Sequence, residues 1–251
     1  MRHSRHHRKG LPRTRTGLGR GALLRSLWQP RLQNWWIGTL FACGSLLFML
    51  GGILSLAPGI AAGWSLEAGA INRMFFAGSI PFTLAAYLQL HQAANAPGPA
   101  GAHPTEAKVV YFGWQPGNSG WLSCALQFAG TLLFNVNTFD AMLLDLNWLQ
   151  QDLEIWAPDM AGSVLFLASG YLAFVECGHG RWSWQPRSLS WWITSVNLLG
   201  CVCFMLSAVL AFVPPAGSAE EVVTLSILFT VLGAAAFLIG SLLLLPEAAP
   251  E

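Results

Sequence analysis

The chain has 251 residues, of which 54% are apolar and only 10% charged, with a formal net charge of +1. Soluble domains carry about 25% charged residues, so an ordinary water-facing surface is excluded for most of this sequence. The small net charge hides an asymmetry, because nine of the thirteen Lys and Arg lie between Arg2 and Arg31.

Residues 1–27 read as a basic, disordered cytoplasmic arm. Beside a bilayer such an arm is drawn to anionic headgroups by about 1 kcal/mol per basic residue. Nucleic acid is not its partner: no aromatic residue interleaves the charges before Trp28, and no nucleic-acid module follows. Beyond the arm, charge vanishes from six runs, at 37–57, 74–89, 121–139, 160–175, 191–213 and 222–245. A helix needs about 20 apolar residues to cross a hydrocarbon core, so each run predicts a span. The expected fold is all-α, a polytopic membrane protein of six transmembrane helices. They pair as three tandem hairpins at 28–91, 114–177 and 184–245, with a cytoplasmic linker at 92–113.

The basic arm stays on the cytoplasmic side, and six spans bring the C-terminus back to it. The loops at 92–119 and 178–190, with Lys108, Arg181 and Arg187, are then also cytoplasmic, which leaves Arg73 alone outside. Acids collect in the outer loops: Glu67, Asp140, Asp145, Asp152, Glu154, Asp159, Glu220 and Glu221. A cleaved signal peptide is disfavoured, since the first apolar run exceeds the usual 7–15 residues and its entry phrase recurs at later helices. The five cysteines are odd in number and avoid the outer loops, so no disulfide framework is implied.

The entry phrase is Trp28-Gln29-Pro30, repeated as Trp114-Gln115-Pro116 and Trp184-Gln185-Pro186. A second Trp follows seven residues after the first (Trp35, Trp121, Trp191), then Gly44, Gly130 and Gly200 nine further on, then Phe48, Phe134 and Phe204 after four more. Proline fixes its own φ and disfavours helix in the residue before it, so the phrase starts a helix. The six tryptophans read as interfacial anchors, with the second of each pair turned 180° from its glycine. The glycines predict close helix contacts, as small residues permit in membranes.

The even-numbered helices repeat as well. Gly78-Ser79 with Phe82, Tyr87 and Leu88 matches Gly162-Ser163 with Phe166, Tyr171 and Leu172, and in the sixth helix Phe237-Leu238 reads as the counterpart of Tyr-Leu. The repeating unit is a hairpin, so the repeats are parallel and transporter folds built on inverted repeats are disfavoured. Between the third and fourth spans, Met142, Leu146, Leu149, Leu153 and Trp156 alternate at spacings of four and three. That predicts an amphipathic helix at 140–159, lying on the outer leaflet or extending the third span, and a surface for a protein partner or a second copy of the chain.

Polar residues inside the spans are the candidates for chemistry. Gln127 and Asn197 stand three residues before Gly130 and Gly200, within 60° of the glycine face, and should point into the bundle, as hydrogen-bonding residues or as a solute site. His91 and His179 end the second and fourth spans and could hold haem or metal. Their repeat positions differ by four residues, so no cofactor is expected. Cys43, Cys124, Cys177, Cys201 and Cys203 read as small packing residues. Phosphate loops, His-Glu-x-x-His and nucleophile elbows are absent from the sequence.

Phe41-Ala42-Cys43-Gly44-Ser45-Leu46-Leu47-Phe48 and Phe237-Leu238-Ile239-Gly240-Ser241-Leu242, with Leu245-Pro246-Glu247, resemble helix segments of the YrhK-like bacterial membrane proteins. The resemblance covers about a quarter of the chain and implies a bacterial inner-membrane setting without a known activity, cofactor or site. The expected role is non-enzymatic: structural, accessory or ligand-sensing. One alternative is a channel or facilitator for a small uncharged solute along Gln127 and Asn197. Another is a membrane enzyme or haem/metal protein using His91 and His179.

Overall fold

A computed structural model of the chain describes residues 28–96, 109–143 and 146–247. The basic arm at 1–27, expected to be disordered, and most of the linker at 92–113 lie outside the described residues.

Each Trp-Gln-Pro phrase makes a turn. The amides of Leu32, Asn118 and Ser188 donate to the carbonyls of Gln29, Gln115 and Gln185 at 3.0, 2.9 and 2.9 Å, with proline at the second position, where its fixed φ suits the turn. A helix follows at once. Asn118 accepts from the amides of Gly120 and Trp121, and Ser188 from that of Trp191, satisfying donors that the first helical turn leaves free. Leu32 offers no such cap at the first helix.

Seven helices make up the described residues: α1 (Gln33–Leu56), α2 (Pro58–Gly63), α3 (Ala68–Ala94), α4 (Ser119–Asp140), α5 (Trp148–Gly178), α6 (Leu189–Leu210) and α7 (Glu220–Glu247). The short α2, in the loop after the first long helix, has no counterpart among the expected elements. Helices α1 and α3, α4 and α5, and α6 and α7 pack as hairpins; α3 also packs on α4, α5 on α6, and α7 on α1. The six long helices therefore form a closed ring. At the closing contact a Cβ on Gly38 would lie 3.1 Å from Leu245 Cδ2 and 3.1 Å from the Ser241 carbonyl, and one on Gly52 would lie 2.5 Å from Val231 Cγ2.

Polarity runs inside out. Leu46, Leu84, Leu132, Leu199 and Leu232 are exposed, whereas Ser45, Ser79, Thr131 and Ser163 are buried. Water would reverse that arrangement, but hydrocarbon favours it, because apolar side chains lose nothing by facing lipid while polar ones need partners. Helices α1, α5, α6 and α7 are long and apolar enough to cross a membrane, which marks an integral membrane protein. Helices α3 and α4, at 27 and 22 residues, are long enough but less apolar. Their polar residues partly face each other: Asn135 Nδ2 donates to Thr83 Oγ1 at 2.9 Å, and Thr138 Oγ1 lies 3.2 Å from Ser79 Oγ.

The segment at 140–159 differs from expectation. It neither lies apart nor extends the third long helix: from Trp148 onward it is the start of α5, with a π-helical stretch over Gln151–Trp156. Its faces are also reversed. Leu149 and Leu153 of the apolar stripe are exposed, while Asp152, placed on the polar face, is buried and accepts the Val213 amide at 3.0 Å. Trp156 turns inward onto Phe212 and donates its indole N–H to the Ala208 carbonyl at 2.8 Å. The physical reason is local. The α6–α7 loop leaves backbone groups to be satisfied, and a carboxylate and an indole reach them where leucine cannot.

Candidate functional site

Each long helix carries a glycine followed four residues later by phenylalanine: Gly44 and Phe48, Gly78 and Phe82, Gly130 and Phe134, Gly162 and Phe166, Gly200 and Phe204, Gly233 and Phe237. Within each hairpin these cross. A Cβ on Gly200 would lie 2.7 Å from Phe237 Cδ2, and one on Gly233 3.2 Å from the Phe204 ring; Gly44 meets Phe82 and Gly78 meets Phe48 in the same way. Only glycine leaves room for the opposing ring. Phe237 therefore stands where Phe82 and Phe166 stand, opposite the hairpin glycine, and not where Tyr87 and Tyr171 stand. The sequence conceals this register because Gly233 is followed by Ala234-Ala235-Ala236 and lacks the serine that marks Gly78 and Gly162.

The six phenylalanines meet at the centre of the ring. Centroid separations run from 4.9 Å for Phe134 and Phe166, through 5.8 Å for Phe82 and Phe237, to 6.4 Å for Phe48 and Phe204, linking all six. The residue after each glycine, at Ser45, Ser79, Thr131, Ser163, Cys201 and Ala234, is small and buried.

A cavity lies on each side of this aromatic layer. The larger, about 250 Å³, is at the end away from the Trp-Gln-Pro turns. Its floor is aromatic, including Phe48, Phe134 and Phe204, and its walls carry Asn72, Asn137, Thr138, Ser226 and Thr230, with Asp159 the one charged residue in its lining. The smaller, about 60 Å³, is at the Trp-Gln-Pro end. Both Gln127 and Asn197 line it, with Gln89, Ser123 and Thr194. Asn197 Oδ1 is buried without a donor among the described residues, and it sits against Gly240, where a side chain would collide with it.

The tryptophan pairs share one geometry. Trp28 and Trp35, Trp114 and Trp121, and Trp184 and Trp191 meet edge to face at 5.3, 5.6 and 5.1 Å. The first of each pair is 73%, 81% or 71% exposed, and the second only 6%, 4% or 5%. The second does face away from its glycine, but in a closed ring that side meets the neighbouring hairpin. Trp121 packs with Leu90 and Ala93 of α3, so it is a buried wedge at this interface. The indole N–H groups of Trp121 and Trp191 donate to the carbonyls of Phe112 and Ser183, each at 2.9 Å.

The histidines are not brought together. His91 lies near the end of α3, its Nδ1 3.4 Å from Gln33 Nε2, while His179 follows α5 in a left-handed conformation at φ 56°. Among the described residues no group of three or more His, Cys, Asp or Glu side chains converges to hold a metal. None of the five cysteines forms a disulfide, and Cys124, Cys201 and Cys203 are buried.

No protein-family model, curated protein or solved structure matches this chain. The site is thus read from its own geometry. Sequence reasoning reached Gln127 and Asn197 through their register with the glycines, but it missed the larger cavity. Asp159 falls among the outer-loop acids, Asn72 just before the run at 74–89 and Asn137 near the end of the run at 121–139. Of the hydroxyls that immediately follow the helix glycines, Ser79 and Thr131 line the cavity and were the nearest available signal for it.

Proposed function

We propose that the protein is a non-enzymatic, ligand-holding component of a bacterial inner membrane, with six spans arranged as three parallel hairpin repeats and both termini in the cytoplasm. The observation that carries the ligand-sensing role is the 250 Å³ cavity inside the ring, with polar walls over an aromatic floor. A cavity that is apolar with a few convergent polar groups is the usual form of a small-molecule site. The membrane setting draws on the four apolar helices, the charge asymmetry and the resemblance to YrhK-like proteins. The repeats draw on the recurring tryptophan pairs and glycine–phenylalanine crossings. Exposed Trp148, Leu149 and Leu153 support 140–159 as the surface for a protein partner or a second copy.

The test is thermal unfolding of the purified protein against a panel of small amines, amides, polyols and short carboxylic acids. At least one class should raise the midpoint, and Ala211→Phe, which fills the cavity from the end of α6 where the chain can relax, should abolish the rise. No rise with any class would contradict the reading.

The second reading, a facilitator for a small uncharged solute, is favoured by the pair of cavities facing each other across the phenylalanine layer. Flux of glycerol or urea into proteoliposomes, lost when Gln127→Leu and Asn197→Leu are combined without loss of folding, would establish it. The ligand-holding reading expects no flux above that of empty liposomes, because the six rings fill the passage.

A further inference from the structure

We propose that the larger cavity takes a small organic cation, held by the Asp159 carboxylate over the faces of the phenylalanine layer. The inference deepens the ligand-holding reading and rests on it. Four independent features of the cavity point the same way.

Asp159 is the one charged residue in the lining, and among the described residues its side chain has neither a hydrogen-bond donor nor an ion-pair partner. Arg73, the one basic residue described at this end of the ring, is exposed and does not line the cavity. A carboxylate held in a protein cavity without a counter-charge is costly, and a cationic ligand supplies what the fold omits.

Most of the donor hydrogens on the remaining polar groups are already engaged. Asn72 Nδ2 is committed to the Ala141 carbonyl at 2.5 Å and Asn137 Nδ2 to the Ile155 carbonyl at 3.0 Å, and because each amide faces a carbonyl its orientation is fixed by the network. The hydroxyls of Ser79, Thr131 and Thr138 donate to the carbonyls of Phe76, Phe128 and Phe134 at 2.8, 2.7 and 2.6 Å. Ser226 donates to the Ser207 carbonyl at 3.0 Å. An anion entering this cavity would meet an uncompensated carboxylate and hydroxyls whose hydrogens are already used, with only the second N–H of Asn72 and of Asn137 left to donate. A ligand that donates, or that carries diffuse positive charge, meets lone pairs.

Phenylalanine faces complete the description. Phe48, Phe75, Phe82, Phe134, Phe166 and Phe204 all line the cavity, and the negative face of an aromatic ring attracts ammonium groups, most strongly where water is excluded. A box of aromatic rings with one carboxylate is the arrangement that recognises alkylammonium groups. Size then limits the ligand: 250 Å³ is below the ~300–1,000 Å³ of pockets for drug-sized molecules, which leaves room for a compact methylated amine.

The experiment is calorimetric titration of the full chain in lipid nanodiscs with choline chloride and with 3,3-dimethyl-1-butanol, which has the same shape without the charge. Choline should bind at least about tenfold more tightly than the alcohol, as cation–π and ion-pair contacts in a dry site imply. Asp159→Asn should weaken choline at least about tenfold while leaving the alcohol unchanged, and Asp159→Glu should retain the preference. If Asp159→Asn does not fold, the two ligands on the wild-type protein still decide. Equal affinities would overturn the cationic assignment and leave a ligand-holding cavity in place. Binding of neither compound, with an uncharged member of the stability panel still active, would overturn this proposal alone. Silence from every class would remove both.

Discussion

Glycine is the residue on which the ring's close contacts turn. A Cβ at Gly44 would lie 2.8 Å from the Gly78 carbonyl, which is backbone and cannot rotate aside, as well as against the Phe82 ring. Gly44→Ala should therefore force α1 and α3 apart and cost about 1–3 kcal/mol, read as a lower thermal midpoint in detergent. Gly59 has nothing within 4 Å of the same position, so Gly59→Ala should leave stability unchanged or raise it by up to about 1 kcal/mol, through the flexibility it removes from the unfolded chain. The tryptophans divide likewise. Trp191→Phe deletes the donor to the Ser183 carbonyl and shrinks a buried side chain, at about 1–3 kcal/mol, whereas Trp184→Phe changes an exposed ring and should cost little. Sequence alone located Gly44, Gly130 and Gly200 because a fixed Trp–Gly–Phe spacing marks them. It missed the role of Gly233 because a helix register can be read only from side chains, and three alanines give no register.

At the scale of elements, the joints were harder to read than the helices. Apolar runs are legible because a span needs an uninterrupted length, but the 140–159 stripe has both a polar and an apolar face, and periodicity cannot say which of them turns inward. Asp152 decides it by accepting the Val213 amide. Asp152→Ala should leave that amide unpaired and destabilise the protein by about 1–3 kcal/mol, while Leu153→Ala, which alters an outward side chain, should leave the unfolding midpoint of the isolated protein nearly unchanged. Closure of α7 on α1 was equally invisible, since contacts between the first and last helices leave no trace in local pattern. Cysteines introduced as Gly52→Cys and Val231→Cys, with the native thiols replaced, should cross-link within one chain at high dilution. Two freely labelled thiols and no bridge would argue for an open bundle.

For the molecule as a whole, the six helices, the inverted polarity and the central phenylalanine layer form one account. The ring requires its helices to alternate in direction, so the Trp-Gln-Pro turns gather at one end and the larger cavity at the other. On the proposed topology, which follows the charge distribution, the Trp-Gln-Pro end faces the cytoplasm and the cavity with Asp159 faces the outside. What sequence could not supply was the interior: apolar runs are countable, but the space between the helices depends on which rings meet at the centre. The measurement that bears most directly on the account is topology mapping by fusing a reporter active only in the periplasm after Ile60, His103, Gln150, Trp182, Gly217 and Glu251. The account predicts activity after Ile60, Gln150 and Gly217 alone. Activity after His103, Trp182 or Glu251 would mean that the helices do not all cross, and the six-span ring with its outward cavity would be wrong.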